Sequence, residues 1–396
     1  MDSRKARWIA LSASSAVALA ILWFGLARLE KPMEGTVTMH VGERPKPPPR
    51  TATSSAAART LDPVKPEEWT FHLSPEEAET FFAMSLNPRV VYDPWMGVRE
   101  LGNEVYEFKW AEHPKHKFEF RTNSDGCRED HDLDVPPRDL RVLVAGDSHT
   151  CGLCANAESF TNRLEDLIAA GRPGKTVEAL NTGLGGYHFY NYLGALYRFR
   201  DFAPQVFVCS IFGGNDFSEY FYVYLHLAGG DWPSLLPKFE KRRKLALEVS
   251  FDAMGQGLAE LDLLRNFEHL REPISDHALQ MCLEIQRVAR RQGTEVVFLY
   301  IPSPFELPWP EPVERYTRAR DTLELTDADF SLVSAAADRL LARLRERGAT
   351  TVDLRPTFAS EPVPPYWRTD FHLNVRGHEL AARALEPVVS AMLKVD

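Results

Sequence analysis

The sequence predicts an α/β fold: a central, mostly parallel five-stranded sheet sandwiched by helices, with a β-rich cap before it and a helical insertion within it. Three observations point there. From Leu140 onward, short apolar runs alternate with longer segments whose apolar residues recur every three to four positions. Most of the runs are continuously apolar, as strands covered on both faces are. Glycine-rich turns follow the first three runs, where a parallel strand hands over to its crossover helix.

The chain has 396 residues, 44% hydrophobic and 26% charged, with a formal net charge of -10. That balance is globular and leaves room for a sizeable core. A mildly acidic chain without a long basic run argues against a nucleic-acid partner.

Residues 1–30 read as a membrane anchor or signal segment. Arg4, Lys5 and Arg7 precede an apolar run from Trp8 to Ala27, long enough to cross a bilayer as a helix. Basic residues on its amino side favour a cytoplasmic N-terminus and an exported remainder. The small residues around Gly25-Leu26-Ala27 suit a cleavage site, but the run's length and the bulky Trp23 and Phe24 favour an uncleaved anchor. The expected location is therefore membrane-anchored, with the working domain periplasmic or extracellular. Residues 31–68, with Lys46-Pro47-Pro48-Pro49-Arg50 at the centre, are too poor in apolar surface to fold and read as a disordered tether.

Residues 69–139 read as a cap of short strands, for example Glu104 to Phe108 and Lys117 to Phe120, which alternate polar with apolar. Residues 140–396 form the main domain. Its expected strands are Leu140 to Ala145, Val177 to Asn181, Gln205 to Ile211, Glu295 to Ile301 and Thr350 to Leu354. Its expected helices carry Phe160, Leu164, Leu167 and Ile168; Ala278, Met281, Cys282, Ile285, Val288 and Ala289; Phe330, Val333, Ala337, Leu340, Leu341 and Leu344; and Leu380, Ala381, Ala384, Leu385 and Val388. The segment of about 217–275 is too long for a simple connection and reads as a helical insertion. Its aromatics (Phe217, Tyr220, Phe221, Tyr222, Tyr224) suit either a substrate cleft or packing onto the main body. The run Glu240 to Lys244 reads as a solvated face.

The five cysteines are Cys127, Cys151, Cys154, Cys209 and Cys282, and export permits disulfides. For Cys151-Gly152-Leu153-Cys154 a local disulfide is favoured over two free thiols. A zinc site with His149 is disfavoured, because no second Cys pair is visible. Cys209 and Cys282 read as core residues.

Four blocks hold the chemistry: Gly146-Asp147-Ser148; Asn181 to Gly186; Gly213-Gly214-Asn215-Asp216; and Asp370-Phe371-His372-Leu373-Asn374. The carboxyl ends of parallel strands meet at one crevice. There Ser148 would be the nucleophile, His372 its general base, and Asp370 the group that orients the imidazole. The backbone N–H groups of Ser148 and Gly186, with the Asn215 side-chain amide, would form an oxyanion hole. Each block alone is ordinary turn chemistry, and His378 reads as a surface residue. Together, in order and at strand ends, the blocks favour catalysis.

This set resembles the SGNH, or GDSL, hydrolase superfamily, whose four named residues match Ser148, Gly186, Asn215 and His372 in order. The segment Arg121 to Arg128 is similar to the lead-in of exported bacterial members. The resemblance implies a three-layer α/β/α, flavodoxin-like sheet architecture, ester hydrolysis or acyl transfer, and neither metal nor organic cofactor. There are two departures. His149 stands where the pattern has Leu, and Asp370-x-His372 is one residue shorter than the usual Asp-x-x-His. The shorter spacing resembles that of bacterial polysaccharide O-acetyltransferases. The expectation is a serine esterase acting on an acylated carbohydrate or lipid, with O-acyl transfer to a polysaccharide as the alternative. A non-catalytic binding module ranks below both.

Overall fold

The structure is a computed structural model and describes residues 73–82, 84, 87–134, 137–227, 255–308 and 320–393. The expected anchor, the tether and the run Glu240 to Lys244 lie outside the described residues. Among the described residues no helix is long and apolar enough to cross a membrane.

The described residues open with helix α1 (Pro75–Phe82) and two antiparallel hairpins. These pair β1 (Val90–Asp93) with β2 (Gly97–Glu100), and β3 (Val105–Lys109) with β4 (Lys117–Arg121). The main body then runs β5 (Leu140–Ala145), α2 (Ser148–Cys151), α3 (Phe160–Gly171), β6 (Val177–Asn181), α4 (Phe189–Arg198) and β7 (Val206–Phe212). It continues with α5 (Asp216–Leu227), α6 (Gly255–Asn266), α7 (Arg271–Gln292), β8 (Glu295–Ile301), α8 (Ser331–Glu346), β9 (Thr350–Asp353), α9 (Arg355–Ala359) and α10 (Val375–Met392).

The five later strands form one parallel sheet in the order β6-β5-β7-β8-β9. β6 and β7 are buried along their whole length, Glu178 and Asn181 of β6 included, while β9, at the other edge of the sheet from β6, is half-buried throughout. β7 starts and ends one residue later than its apolar run suggests, within the ordinary fraying of element ends. The helices fall into two groups. α3 packs on α10 and β6, while α7 packs against α4, α5 and α8. This is an α/β sandwich with a central parallel sheet.

α4 has no counterpart among the expected helices. Its apolar residues do recur at helical spacing, and Phe189 through Leu196 are all buried, Asn191 included. Its start is fixed locally, because the His188 ring accepts from Tyr190 N and Asn191 Oδ1 accepts from His188 N.

The leading segment is joined to the body by packing. Leu73, Ala78, Phe81, Phe82, Val90, Met96 and Val98 belong to the same core cluster as the sheet. Tyr106, Phe108, Phe118 and Phe120 form a second cluster with Cys151, next to the β5–α2 turn. In the insertion, Phe217, Tyr220 and Phe221 are buried against the body, which is packing and not a cleft lining.

Candidate active site

The site is built outward from the end of β5. Gly146 makes the turn because nothing larger fits: a Cβ there would stand 1.9 Å from Thr150 Oγ1 and 2.9 Å from Ser210 Cβ. Asp147 then caps α2. Its Oδ1 accepts from His149 N at 2.9 Å, and its carbonyl accepts from Cys151 N at 2.9 Å. Ser148 follows as the first residue of α2, half-buried. Burial pushes the Asp147 carboxyl up to about 6, opposed by the His149 N–H bond and by the nearby His372.

His372 arrives from the loop ahead of α10. Its Nε2 lies 2.8 Å from Ser148 Oγ, and its Nδ1 lies 2.8 Å from Asp370 Oδ2. The His372 backbone N–H donates to the other Asp370 oxygen at 3.1 Å. The carboxylate accepts a hydrogen bond from Nδ1–H, which leaves Nε2 to accept from the Ser148 hydroxyl. Burial alone would lower the His372 pKa. The Asp370 charge and hydrogen bond, with the Asp147 charge, outweigh it and leave the net shift upward.

The short Asp-x-His spacing has a backbone cause. Phe371, the one residue between them, sits at φ 63°, in the left-handed region that a bulky side chain rarely occupies. Two hydrogen bonds hold it there: Phe371 N to Trp367 O at 3.0 Å and Trp367 N to His372 O at 2.8 Å. Across Phe371 the Asp370 carboxylate meets both the ring and the backbone N–H of His372.

Gly186 and Asn215 stand after β6 and β7, the strands on either side of β5. Gly186 has φ +82°, and a Cβ there would meet nothing within 4 Å, so glycine serves the backbone angle and not the space. Asn215 is buried at the start of α5, and its carbonyl accepts from Glu219 N at 2.9 Å and Ser218 Oγ at 3.0 Å. Its Oδ1 has no hydrogen-bond partner among the described residues. Ser148, His372 and Asp370 are thus joined in one hydrogen-bonded line. Gly186 and Asn215 follow the two strands that neighbour β5 in the sheet.

Several residues around the site carry work the motifs did not announce. Asp216 Oδ2 accepts from Phe212 N at 2.9 Å and Tyr192 OH at 2.8 Å, closing the β7–α5 turn under Asn215. Burial, reinforced by Asp147, pushes its carboxyl well up. Arg128, fully buried, donates to Gly152 O at 2.8 Å, Asn156 Oδ1 at 3.1 Å and the Cys154 carbonyl, so it holds the loop after the nucleophile. The His149 ring stacks on Phe212 at 3.8 Å between centroids and lies 4.9 Å from the His372 ring.

Two expectations are corrected. Cys151 and Cys154 are free thiols, not a disulfide. Both are buried, and burial pushes them up to about 12 and about 11, which keeps them protonated and unreactive. His378 is fully buried, not on the surface; its Nδ1 accepts from Phe160 N at 3.2 Å, and its ring fills the space beside Gly152. Among the described residues no group of three or more His, Cys, Asp or Glu side chains could hold a metal ion.

Residues 265–395 match the family model described as "SGNH hydrolase-like domain, acetyltransferase AlgX". No curated protein matches the chain. Similar solved structures include a catalytic mutant of an acetylxylan esterase from Geobacillus stearothermophilus, 13% identical over 63% of this chain and 94% of that chain, with a TM-score of 0.38. A lipase/acylhydrolase from Enterococcus faecalis is 17% identical over 65% of this chain and 98% of that chain, with a TM-score of 0.35. The matched segment, about a third of the chain, is similar to an SGNH hydrolase-like domain and holds Asp370 and His372, while Ser148 and the other two blocks stand outside it at adjacent strand ends.

Proposed function

We propose that the protein is an extracytoplasmic acyl-enzyme catalyst that takes an acyl group, acetyl foremost, from an ester and passes it to a saccharide hydroxyl. The observation that carries the chemistry is the unbroken line from Ser148 Oγ to His372 Nε2 and from His372 Nδ1 to Asp370, each step 2.8 Å. As Ser148 Oγ bonds to the acyl carbon, its proton passes to Nε2. The carbonyl oxygen gains the negative charge, and we assign the Ser148 and Gly186 N–H groups and the Asn215 amide as the donors that receive it. Losing one such donor typically costs about 2.7–4 kcal/mol of transition-state stabilisation. When the tetrahedral species collapses, the ester oxygen leaves with the proton from Nε2, and Ser148 keeps the acyl group. An acceptor hydroxyl then gives its proton to Nε2 and attacks. Ser148 Oγ departs and takes that proton back.

The acetyltransferase family match over the segment holding His372 favours transfer over the simple hydrolysis that the motifs first suggest. Hydrolysis stays as the second reading because Ser148 is half-exposed, so water can reach the acyl-enzyme. The extracytoplasmic assignment rests on Arg4, Lys5 and Arg7 ahead of the apolar run to Ala27. A phosphatase reporter fused after residue 30 should be active only if that segment carries its cargo across the membrane.

The test is the chain from residue 73 with p-nitrophenyl acetate and a fluorophosphonate probe, beside Ser148→Ala. Wild type should turn over and label, and the variant should do neither. Absence of labelling in wild type defeats the acyl-enzyme. Adding an acetyl donor and an oligosaccharide then separates the readings: a gain of 42 Da per transferred acetyl (the mass of C2H2O, about 42) on the sugar means transfer, whereas free acetate alone means hydrolysis.

A further inference from the structure

We propose that Glu112, in the turn of the β3–β4 hairpin, is a positioning residue that sets the Asp370–His372 turn for acyl transfer. The inference rests on the acyl-enzyme reading above and adds a part to it from outside the matched family segment. Glu112 Oε2 accepts from Arg368 N at 2.6 Å. Its Oε1 accepts from Thr369 N at 2.8 Å and from the Thr369 hydroxyl. Three donors on the two residues before Asp370 therefore converge on one carboxylate that is 256 residues away in the chain. A half-exposed surface glutamate gains little from one contact, but a bidentate grip on two successive backbone N–H groups fixes a backbone direction.

The neighbouring residues of the hairpin turn grip the same loop. The Trp110 ring meets Trp367 edge-on at 6.4 Å, and the His113 ring lies 6.1 Å from Trp367. His113 is itself held: its Nδ1 accepts from Lys115 N at 3.2 Å, so its Nε2–H donates to Glu158 at 2.9 Å. Trp367 in turn donates its indole N–H to Leu153 O at 3.1 Å, in the loop after the nucleophile. The loop so held contains Phe371 in its left-handed conformation. A strained residue persists only where its surroundings over-determine it. Glu112 supplies that constraint from the amino side of Asp370, and α10, capped by Asn374 on Gly377 N at 3.0 Å, supplies it from the other.

The experiment compares wild type with Glu112→Ala and Glu112→Gln in the same chain. Two quantities are read: the pH profile of kcat and KM on p-nitrophenyl acetate, and the NMR titration of the His372 ring, assigned with His372→Gln. The charged groups facing that ring are Asp370 and Asp147; the His149 ring lies beside it, and the buried His378, its pKa lowered by burial, stays neutral. Glu112→Ala should lower kcat about ten-fold or more with KM little changed, since small misplacement at a reacting centre is expensive. It should also lower the His372 titration midpoint, because Asp370 loses its hold on the ring. Glu112→Gln, which keeps the shape and one acceptor, should fall between. An unchanged kcat and midpoint overturns the proposal, and so does a loss of rate with the midpoint unmoved. If wild type is inert to the ester yet the midpoint falls in Glu112→Ala, the acyl-enzyme reading fails and the positioning role stands. Should Glu112→Ala fail to fold, Glu112→Gln and Thr369→Val carry the same two readouts.

Discussion

At the scale of single residues, the charge on Asp370 decides the pH at which His372 can act. His372 must be neutral at Nε2 to accept the Ser148 proton, and its pKa is raised, chiefly by Asp370 against the opposing effect of burial. The acid limb of kcat/KM should therefore lie above the ordinary histidine value of about 6.5. Asp370→Asn removes the charge and presents the ring with a group that no longer fixes the tautomer. The limb should move to lower pH while kcat/KM falls about 10²–10⁴-fold. Asp147→Asn keeps a side-chain oxygen that can cap His149 N and removes only the weaker electrostatic support. It should shift the limb in the same direction by less. A limb that stays in place in Asp370→Asn would mean that some other group sets it.

At the scale of elements, the β5–α2 turn shows what a few atoms of space demand. Gly146→Ala pushes a methyl into Thr150 and Ser210. Overpacking of that kind typically costs about 1–3 kcal/mol, and the urea midpoint should fall accordingly. The thiols of the next turn make a second prediction. Cys151 and Cys154 are buried and shifted upward, so the native protein at pH 8 should resist a thiol reagent that modifies both after unfolding. Rapid labelling of the native state would show that the loop opens.

The same elements explain what the sequence could disclose. Continuous apolar strands and one-sided helices announce themselves by period, so β5, β6, β8 and the helices α3, α7, α8 and α10 are legible. α4 carries the same kind of period although it stands outside the expected helices, and Phe189 through Leu196 are all buried, Asn191 included. Ser148, Asp370 and His372 are legible because acyl chemistry needs those types in order at strand ends. Glu112 is not, because a carboxylate holding backbone N–H groups 256 residues away leaves no local pattern, and Arg128 shows in the sequence only as the end of the lead-in segment, without its grip on the loop after the nucleophile. Cys151-x-x-Cys154 misleads for the opposite reason. Its spacing suggests covalent or metal chemistry, but both thiols are buried, Cys151 against the β3–β4 hairpin and Cys154 beside Arg128.

At the scale of the whole molecule, the segment before the sheet behaves as part of the enzyme's core. Its helix and first hairpin bury Phe81, Phe82, Met96 and Val98 in the sheet's own cluster, and its second hairpin buries Tyr106, Phe108, Phe118 and Phe120 beside Cys151. Burying one such side chain is worth about 1.5–3 kcal/mol, and a domain's net stability is only about 5–15 kcal/mol. Deleting everything before residue 122 therefore removes more burial than the fold can spare, and it also removes the Glu112 grip on the catalytic loop. A chain starting at residue 73 should melt cooperatively and keep the full Ser148-dependent rate. A chain starting at residue 122 should show no cooperative thermal transition and no turnover of p-nitrophenyl acetate. If the shorter chain folds and keeps wild-type kcat, residues 73–121 are a dispensable attachment, and the contacts from the β3–β4 hairpin to the Asp370–His372 loop play no part in acyl transfer.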